Sequence, residues 1–538
     1  MRWRLPSRAL PEVLTRCARS SAAGQPGGTH WRRYSLKRIA PYSVTVAGFL
    51  VACGGPTPFS GVSSAGNAGS GALAGSSGGG VNTGGSGATS GGGMASRAGA
   101  AGAGGATASG GAAAGAGTAG APGGAASGCP RACGPSYDQF FDIAKLATLR
   151  VTLPSAPPAF TAAGHCAPYT WIPAQMSYES PDGLGNVTLA NVGFRFRGSR
   201  SQPVQGFKLD LQVLDTPGAA GKRRFADLNR VNILSNEGDH THIMQCVGYR
   251  ALSAFGVPAP RCNLLKVYLN DQYYGLLENV EQVNRGFLRR HFGTNLGSLY
   301  GASMSNDGGT KSGTTCTGAF KDSLARLEYV NDAFTSYATQ YQLTSATAAE
   351  AEQNLIPMLK CGASGTDAEF QACIGDWLDV TEWLKLIAAE SVLPELQSFV
   401  GYYRNYYLYF KADASSSHQG RFVVWPWDVD TSMNRAKCST SSCNVLTSVD
   451  TSLLGARAKL VTRLTTVFRA EYCAQLKSFV STVFQPSLVD ALAAVAEPGM
   501  ANDPTDTTTA WQTAASALSS YVTTQTIVAQ TAISAACP

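Results

Sequence analysis

The chain has 538 residues, 44% hydrophobic and 14% charged, with 42 Lys and Arg against 35 Asp and Glu and a net charge of +7. Nine of the basic residues and one acidic residue lie in the first 53 positions, which leaves 33 basic against 34 acidic side chains in the rest. The basic balance therefore belongs to the N-terminus, and no basic stripe marks a surface for nucleic acid or an anionic membrane.

Lys37 and Arg38 precede an apolar run, Tyr42 to Ala52, that is too short to span a bilayer as a helix and ends in Leu50-Val51-Ala52-Cys53. This order resembles the lipobox of a bacterial lipoprotein signal peptide. Residues 1–53 are then a leader, Cys53 carries the lipid, and the chain is anchored in the cell envelope on a periplasmic or surface face. Residues 1–35 are longer and more Arg-rich than a leader needs, so a start near Leu36 from a non-AUG codon also fits. Residues 54–128 are almost wholly Gly, Ala, Ser and Thr. They hold too little apolar surface to offset the entropy of ordering and read as a flexible tether. Residues 129–538, about 400 in all, are enough to bury a large core.

Apart from Cys17 and Cys53, twelve cysteines remain, an even number that suits disulfides in an oxidising compartment. Cys129 with Cys133, Cys361 with Cys373, and Cys438 with Cys443 are the expected local pairs. Spacing leaves the partners of Cys166, Cys246, Cys262, Cys316, Cys473 and Cys537 open. Zinc is disfavoured, because no paired CxxC occurs and the His240-Thr241-His242 doublet lacks a matching second half.

Alternating apolar residues predict strands at Ala147 to Leu153, Val187 to Phe196 and Gly206 to Val213. A helix follows from Ile243 to Phe255, then a hairpin from Asn263 to Glu281 turning at Asn270-Asp271. Beyond a Gly, Ser and Thr-rich loop at Ser303 to Gly318, helices dominate. Asp379-Val-Thr-Glu382 is a capping-box-like start for a helix from Trp383 to Leu393, and long helices fill Leu453 to Val495. A mostly β part with one helix thus precedes a mostly α part, an α+β chain.

The most informative stretch interrupts those helices. Asn405 to Lys411 and Arg421 to Trp427 read as two aromatic-rich strands joined by a polar turn. Antiparallel pairing would set Asn405 beside Asp428, an oxygen-only ligand set suited to Mg2+ with bound phosphates completing its shell. Asp430 would share the strand face of Asp428 if the strand continues. The same residues also fit a strand cap and an ordinary turn after a buried Trp-Pro-Trp.

Several blocks favour the metal reading. YYLYF followed by PWDVD, FRFRGSRS at Phe194 to Ser201, GFKLDL at Gly206 to Leu211, VNILSNEGD at Val231 to Asp239, and the long run from Phe255 to Gly293 stand in one order. Together they resemble the spore-coat protein H (CotH) family of atypical protein kinases over roughly residues 146–530. The resemblance implies a two-lobed kinase-like fold and an ATP- and Mg2+-dependent transfer to Ser or Thr of a protein substrate in the envelope or on the surface. It assigns Lys208, with Arg197 and Glu281, to the nucleotide, Arg197 being able to make bidentate phosphate contacts. Asn405, Asp428 and Asp430 would hold the metal.

The chain also departs from the family. Where the family has a catalytic aspartate, it reads Glu395-Leu396-Gln397-Ser398, and glutamine cannot accept a proton as a carboxylate does. Glu395 or Asp430 would have to substitute as the catalytic base, or transfer would be slow or absent. Met244 replaces a usual arginine, and Asn284 a usual aspartate. No HRD or DFG motif occurs. A second reading is a non-catalytic surface adhesin built on the kinase-like fold. A more distant third, carbohydrate binding, would need exposed Tyr402, Tyr403 and Trp425.

Overall fold

Strands that alternate apolar and polar residues must bury one face, and here the N-terminal strands do so by closing on themselves. The computed structural model describes residues 134–156, 170–197, 203–215, 223–236, 238–302, 310–312, 315–317, 324–393, 399–400, 403–430, 432–433 and 459–537. After a short helix α1 (Tyr137–Phe140) come β1 (Ala147–Thr152), β2 (Ile172–Glu179), β3 (Val187–Phe196), β4 (Phe207–Asp210), β5 (Arg230–Leu234), β6 (Cys262–Leu269) and β7 (Gln272–Val280). They form a closed barrel in the order β1-β2-β3-β4-β5-β7-β6. Closure is parallel, Ala147 opposite Leu265 through Val151 opposite Leu269. Leu149, Met176, Phe194, Phe207, Ile233 and Leu277 belong to the apolar cluster that fills it.

A simple N-terminal sheet with one helix was expected; the structure adds β2 and closes the sheet into a barrel. β2 buries Ala174, Met176 and Tyr178 and turns Gln175, Ser177 and Glu179 outward, a period that its sequence carries. β5 exposes only Arg230 and is otherwise buried, so it lacks alternation altogether. The β6–β7 hairpin does turn at Asn270 and Asp271, both with positive φ (49° and 61°), the two-residue turn that matches strand twist.

Helix α2 (Met244–Ala254) lies between β5 and β6 in the chain, and α3 (Arg285–Phe292) follows β7. A second, larger core includes α2, the outer-face residues Leu264, Leu276 and Val280 of the barrel, and the C-terminal helices. Within this part β8 (Ser298–Ala302), β11 (Tyr341–Leu343), β12 (Tyr406–Ala412) and β13 (Gly420–Pro426) form a sheet in the order β11-β8-β12-β13. β9 (Thr310–Ser312) and β10 (Thr315–Thr317) make a ribbon inside the Ser- and Thr-rich loop. The predicted hairpin is therefore half of a larger sheet.

Among the described residues, the helices of this part are α4 (Ala348–Gln353), α5 (Leu355–Gly362), α6 (Asp367–Trp377), α7 (Val380–Val392), α8 (Lys459–Val467), α9 (Arg469–Thr482), α10 (Pro486–Ala496) and α11 (Thr508–Ala536). Asp379 caps α7 as expected, its carboxylate accepting the Glu382 N–H at 3.3 Å. The Glu382 side chain turns instead to Lys385 at 2.8 Å, so only half of the capping box forms. The 29-residue α11 lies beyond the predicted helices.

Cys361 bonds Cys373, the expected pair, and closes α5 onto α6. Cys246 bonds Cys262, joining α2 to β6, and Cys473 bonds Cys537, fastening the end of α11 to α9. The leader, Cys53, the tether, and the pairs Cys129 with Cys133 and Cys438 with Cys443 lie outside the described residues.

Candidate metal and nucleotide site

The ladder of β12 and β13 runs from Tyr406 opposite Pro426 to Ala412 opposite Gly420. One residue beyond its open end, the Trp427 N–H donates to the Asn405 carbonyl at 2.7 Å. Asn405 and Asp428 therefore stand on adjoining strand ends. Both have left-handed backbone, φ 55° and 59°, a region that Asn and Asp enter more readily than other non-glycine residues. Two such residues at one ladder end mark a conformation that the surroundings enforce, a common property of ligand sites. Asn405 is buried, while Asp428 and Asp430 are half-buried. β13 ends at Pro426 and the chain turns at Asp428, so strand alternation no longer argues for Asp430 as a ligand.

Helix α2 supports this turn from below. Tyr249 Oη accepts the Asp428 N–H at 2.9 Å. Gly248 allows the loop to approach closely, since a Cβ there would meet Val429 Cγ2 at 3.2 Å and Ser432 Oγ at 3.3 Å. Farther on, the Met433 N–H donates to the Leu393 carbonyl at 2.8 Å, tying the loop to the end of α7. Glu395 and Gln397 follow in the chain and lie outside the described residues. Tyr403 and Trp425 are buried in the core, which removes two of the three aromatic residues that carbohydrate binding would need.

On the barrel, Lys208 alternates with the inward-facing Phe207 and Leu209, so it shares the outer face with its cross-strand neighbours Arg195 and Asn232. Arg197 extends that row: its N–H donates to the Gly206 carbonyl at 2.8 Å, and its guanidinium to Asn232 Oδ1. Glu278, opposite Leu234 on β7, belongs to the same outer face. A strip of three cations and an amide thus lies on the barrel wall that also carries the contact to α2.

Glu281 has a different setting. Fully buried, it binds Arg290 through Nε at 3.0 Å and through Nη2, with His291 at 3.6 Å and the Arg261 N–H at 3.3 Å. Burial raises its pKa, but the His291 hydrogen bond and the Arg290 charge outweigh that and hold the carboxyl below its usual range. Both oxygens are engaged by Arg261, Arg290 and His291, a structural set of partners for Glu281.

Local patterns missed four residues. Glu278 Oε2 accepts from Gln245 Nε2 at 2.8 Å and Oε1 from the Cys246 N–H at 3.2 Å, both in the first turn of α2. Burial pushes its carboxyl up to about 8, and Asp239 and Asp428 add to the rise, while the Gln245 and Cys246 hydrogen bonds oppose it. Asp239 caps the same helix through the Met244 N–H at 2.9 Å. Tyr249 completes the set, its hydroxyl pushed well above the usual range by burial and by Asp428. The available signal was a charged residue within the apolar run Leu276-Leu277-Glu278, since a charge is rarely buried there without partners.

His240 and His242 bind the two oxygens of one carboxylate, Asp506, at 2.9 and 3.0 Å. This bracket holds the segment before α11 against the loop before α2. The sulfurs of Cys246 and Cys262 lie near Glu278 but are bonded to each other.

The donor set fits a hard divalent cation with nucleotide phosphates: amide and carboxylate oxygens at one ladder end, and cations on the wall that α2 connects to it. A family model described as CotH kinase protein matches residues 194–527. Its span begins within β3, later than the resemblance drawn from motifs. No curated protein matches the chain.

Proposed function

The chain belongs to the CotH kinase family, and on that premise we propose that it is an ATP- and Mg2+-dependent protein kinase acting on Ser or Thr of envelope or surface proteins. The carrying observation is the meeting of Asn405 and Asp428 at the open end of the β12–β13 ladder, each in left-handed backbone. In this reading the barrel and the helical part serve as the two lobes of a kinase-like enzyme. Lys208 and Arg197 hold the phosphates, with charge matched to charge. Asn405 and Asp428 hold the metal, which when bound neutralises the charge that develops on the transferred phosphoryl group. Asp430, beside the site, or Glu395 accepts the proton of the substrate hydroxyl. Gln397 stands where the family carries its aspartate, so transfer is slow, because positioning and electrostatics supply most of the rate and the base a smaller share. Lipidation of Cys53 would anchor the enzyme in the envelope, with the Gly- and Ala-rich tether as its reach.

The test is incorporation of labelled phosphate from ATP into protein acceptors by the full chain, with Mg2+ and without. Mg2+-dependent incorporation into Ser or Thr that Asp428→Ala abolishes supports the proposal. No incorporation above that of the variant, by a folded chain, leaves the adhesin reading.

A further inference from the structure

We propose that Glu278 is a positioning residue for the Asn405 and Asp428 site, acting through α2. The inference deepens the metal reading given above and rests on it. Contacts on both sides of α2 connect the barrel wall to the metal loop. Glu278 grips the first turn of α2 through the Gln245 side chain at 2.8 Å and the Cys246 N–H at 3.2 Å. Within the next turn, Tyr249 Oη accepts the Asp428 N–H at 2.9 Å. Between them, Gly248 is the surface on which Val429 and Ser432 rest.

A helix transmits a displacement of its first turn to its second, because its backbone hydrogen bonds resist internal deformation. The first turn also presents N–H groups that have no partner within the helix, so an acceptor there holds firmly. Asp239 provides one such acceptor, but it belongs to the loop that leads into α2 and moves with it. Glu278 comes from β7 and ties the helix to the barrel. The Cys246–Cys262 disulfide fixes one point, with the Cα atoms 5.1 Å apart, and a single point does not by itself set the rotation of the helix about it. The grip of Glu278 on two successive residues sets this rotation and hence the place of Tyr249.

The amide of Gln245 distinguishes the variants. Its Oε1 is buried without a hydrogen-bond partner. In Glu278→Gln, the new carbonyl can accept the Cys246 N–H, and once the Gln245 amide turns over to bring its oxygen where its Nε2 stood, the new NH2 can donate to that oxygen. Glu278→Ala leaves the Gln245 amide and the Cys246 N–H with nothing to bind on β7.

Two readouts on the full chain test the proposal: hydrogen exchange of the peptide spanning Trp427 to Val429 without ligand, and calorimetric affinity for ATP with Mg2+. Glu278→Ala should speed exchange there about tenfold and weaken binding about tenfold, the scale of one lost buried hydrogen bond. Glu278→Gln should restore both. Tyr249→Phe, which removes only the hydroxyl and stays folded if Glu278→Ala does not, should speed the same exchange. Adding Glu278→Ala to Tyr249→Phe should change little, since both act on one path. Unchanged exchange in Glu278→Ala or in Tyr249→Phe overturns the proposal, as do additive effects. If exchange responds but the wild-type chain does not bind ATP with Mg2+, positioning stands and the metal reading falls.

Discussion

Glu278 and Glu281 sit three residues apart at the end of the barrel, both buried, and their surroundings drive them in opposite directions. At Glu281 the hydrogen bond with His291 and the Arg290 guanidinium outweigh burial and hold the carboxyl below its usual range. At Glu278 the partners are neutral hydrogen-bond donors and two further carboxylates, and the carboxyl is pushed up to about 8. Burial alone therefore does not decide the charge of a carboxyl group. The charges brought near it do, and here α3 brings Arg290 to one, while the loop before α2 and the metal loop bring Asp239 and Asp428 to the other.

Arg290→Ala should break this contrast most strongly, because it leaves Glu281 buried with its main cation gone. A loss of about 4 kcal/mol is expected in chemical denaturation, and the added change Glu281→Gln should recover part of it. A wild-type midpoint would show that His291 and the Arg261 N–H suffice.

The pH dependence sharpens it. Glu278 has a folded value above its unfolded value near 4.5, so its favourable contribution is fully present below 4.5 and is lost as pH rises through about 8. Glu281 is lowered, so its contribution is present above its unfolded value and is lost as pH falls through the folded one. The stability of Glu278→Gln relative to wild type should therefore grow between pH 5 and 8 and level off above, by roughly 4 kcal/mol. A difference independent of pH would mean that Glu278 is ionised in the folded chain at neutral pH.

The Cys246–Cys262 bond fastens the Glu278 side and has no counterpart at Glu281 among the described residues. Replacing both cysteines by Ala should cost about 3 kcal/mol for a loop of this length, read from the denaturation midpoint. It should also speed exchange at Tyr249 more than at Arg290.

How far the sequence could be read depends on the range of the contacts. The β12–β13 hairpin is local: its aromatic strands and polar turn give the register, and the observed ends differ from the expected ones by a single residue. The Asn270-Asp271 turn and the Asp379 cap are local in the same way. Barrel closure is not, because β1 pairs with β6 more than a hundred residues away and no period within either strand encodes its partner. Glu278 was missed for the same reason: its role depends on α2, and a run of Leu, Glu and Asn in a strand does not name a helix. Conversely, the motif that singled out Glu281 marked a residue whose partners, Arg290 and His291, lie one helix further along.

The most direct measurement is calorimetric titration of the full chain with ATP, with and without Mg2+, beside Asp428→Ala. Binding should require Mg2+ and be lost in the variant while the fold persists. Equal binding by wild type and Asp428→Ala, or none by a folded wild type, would contradict a metal and nucleotide site at the mouth of the β12–β13 hairpin.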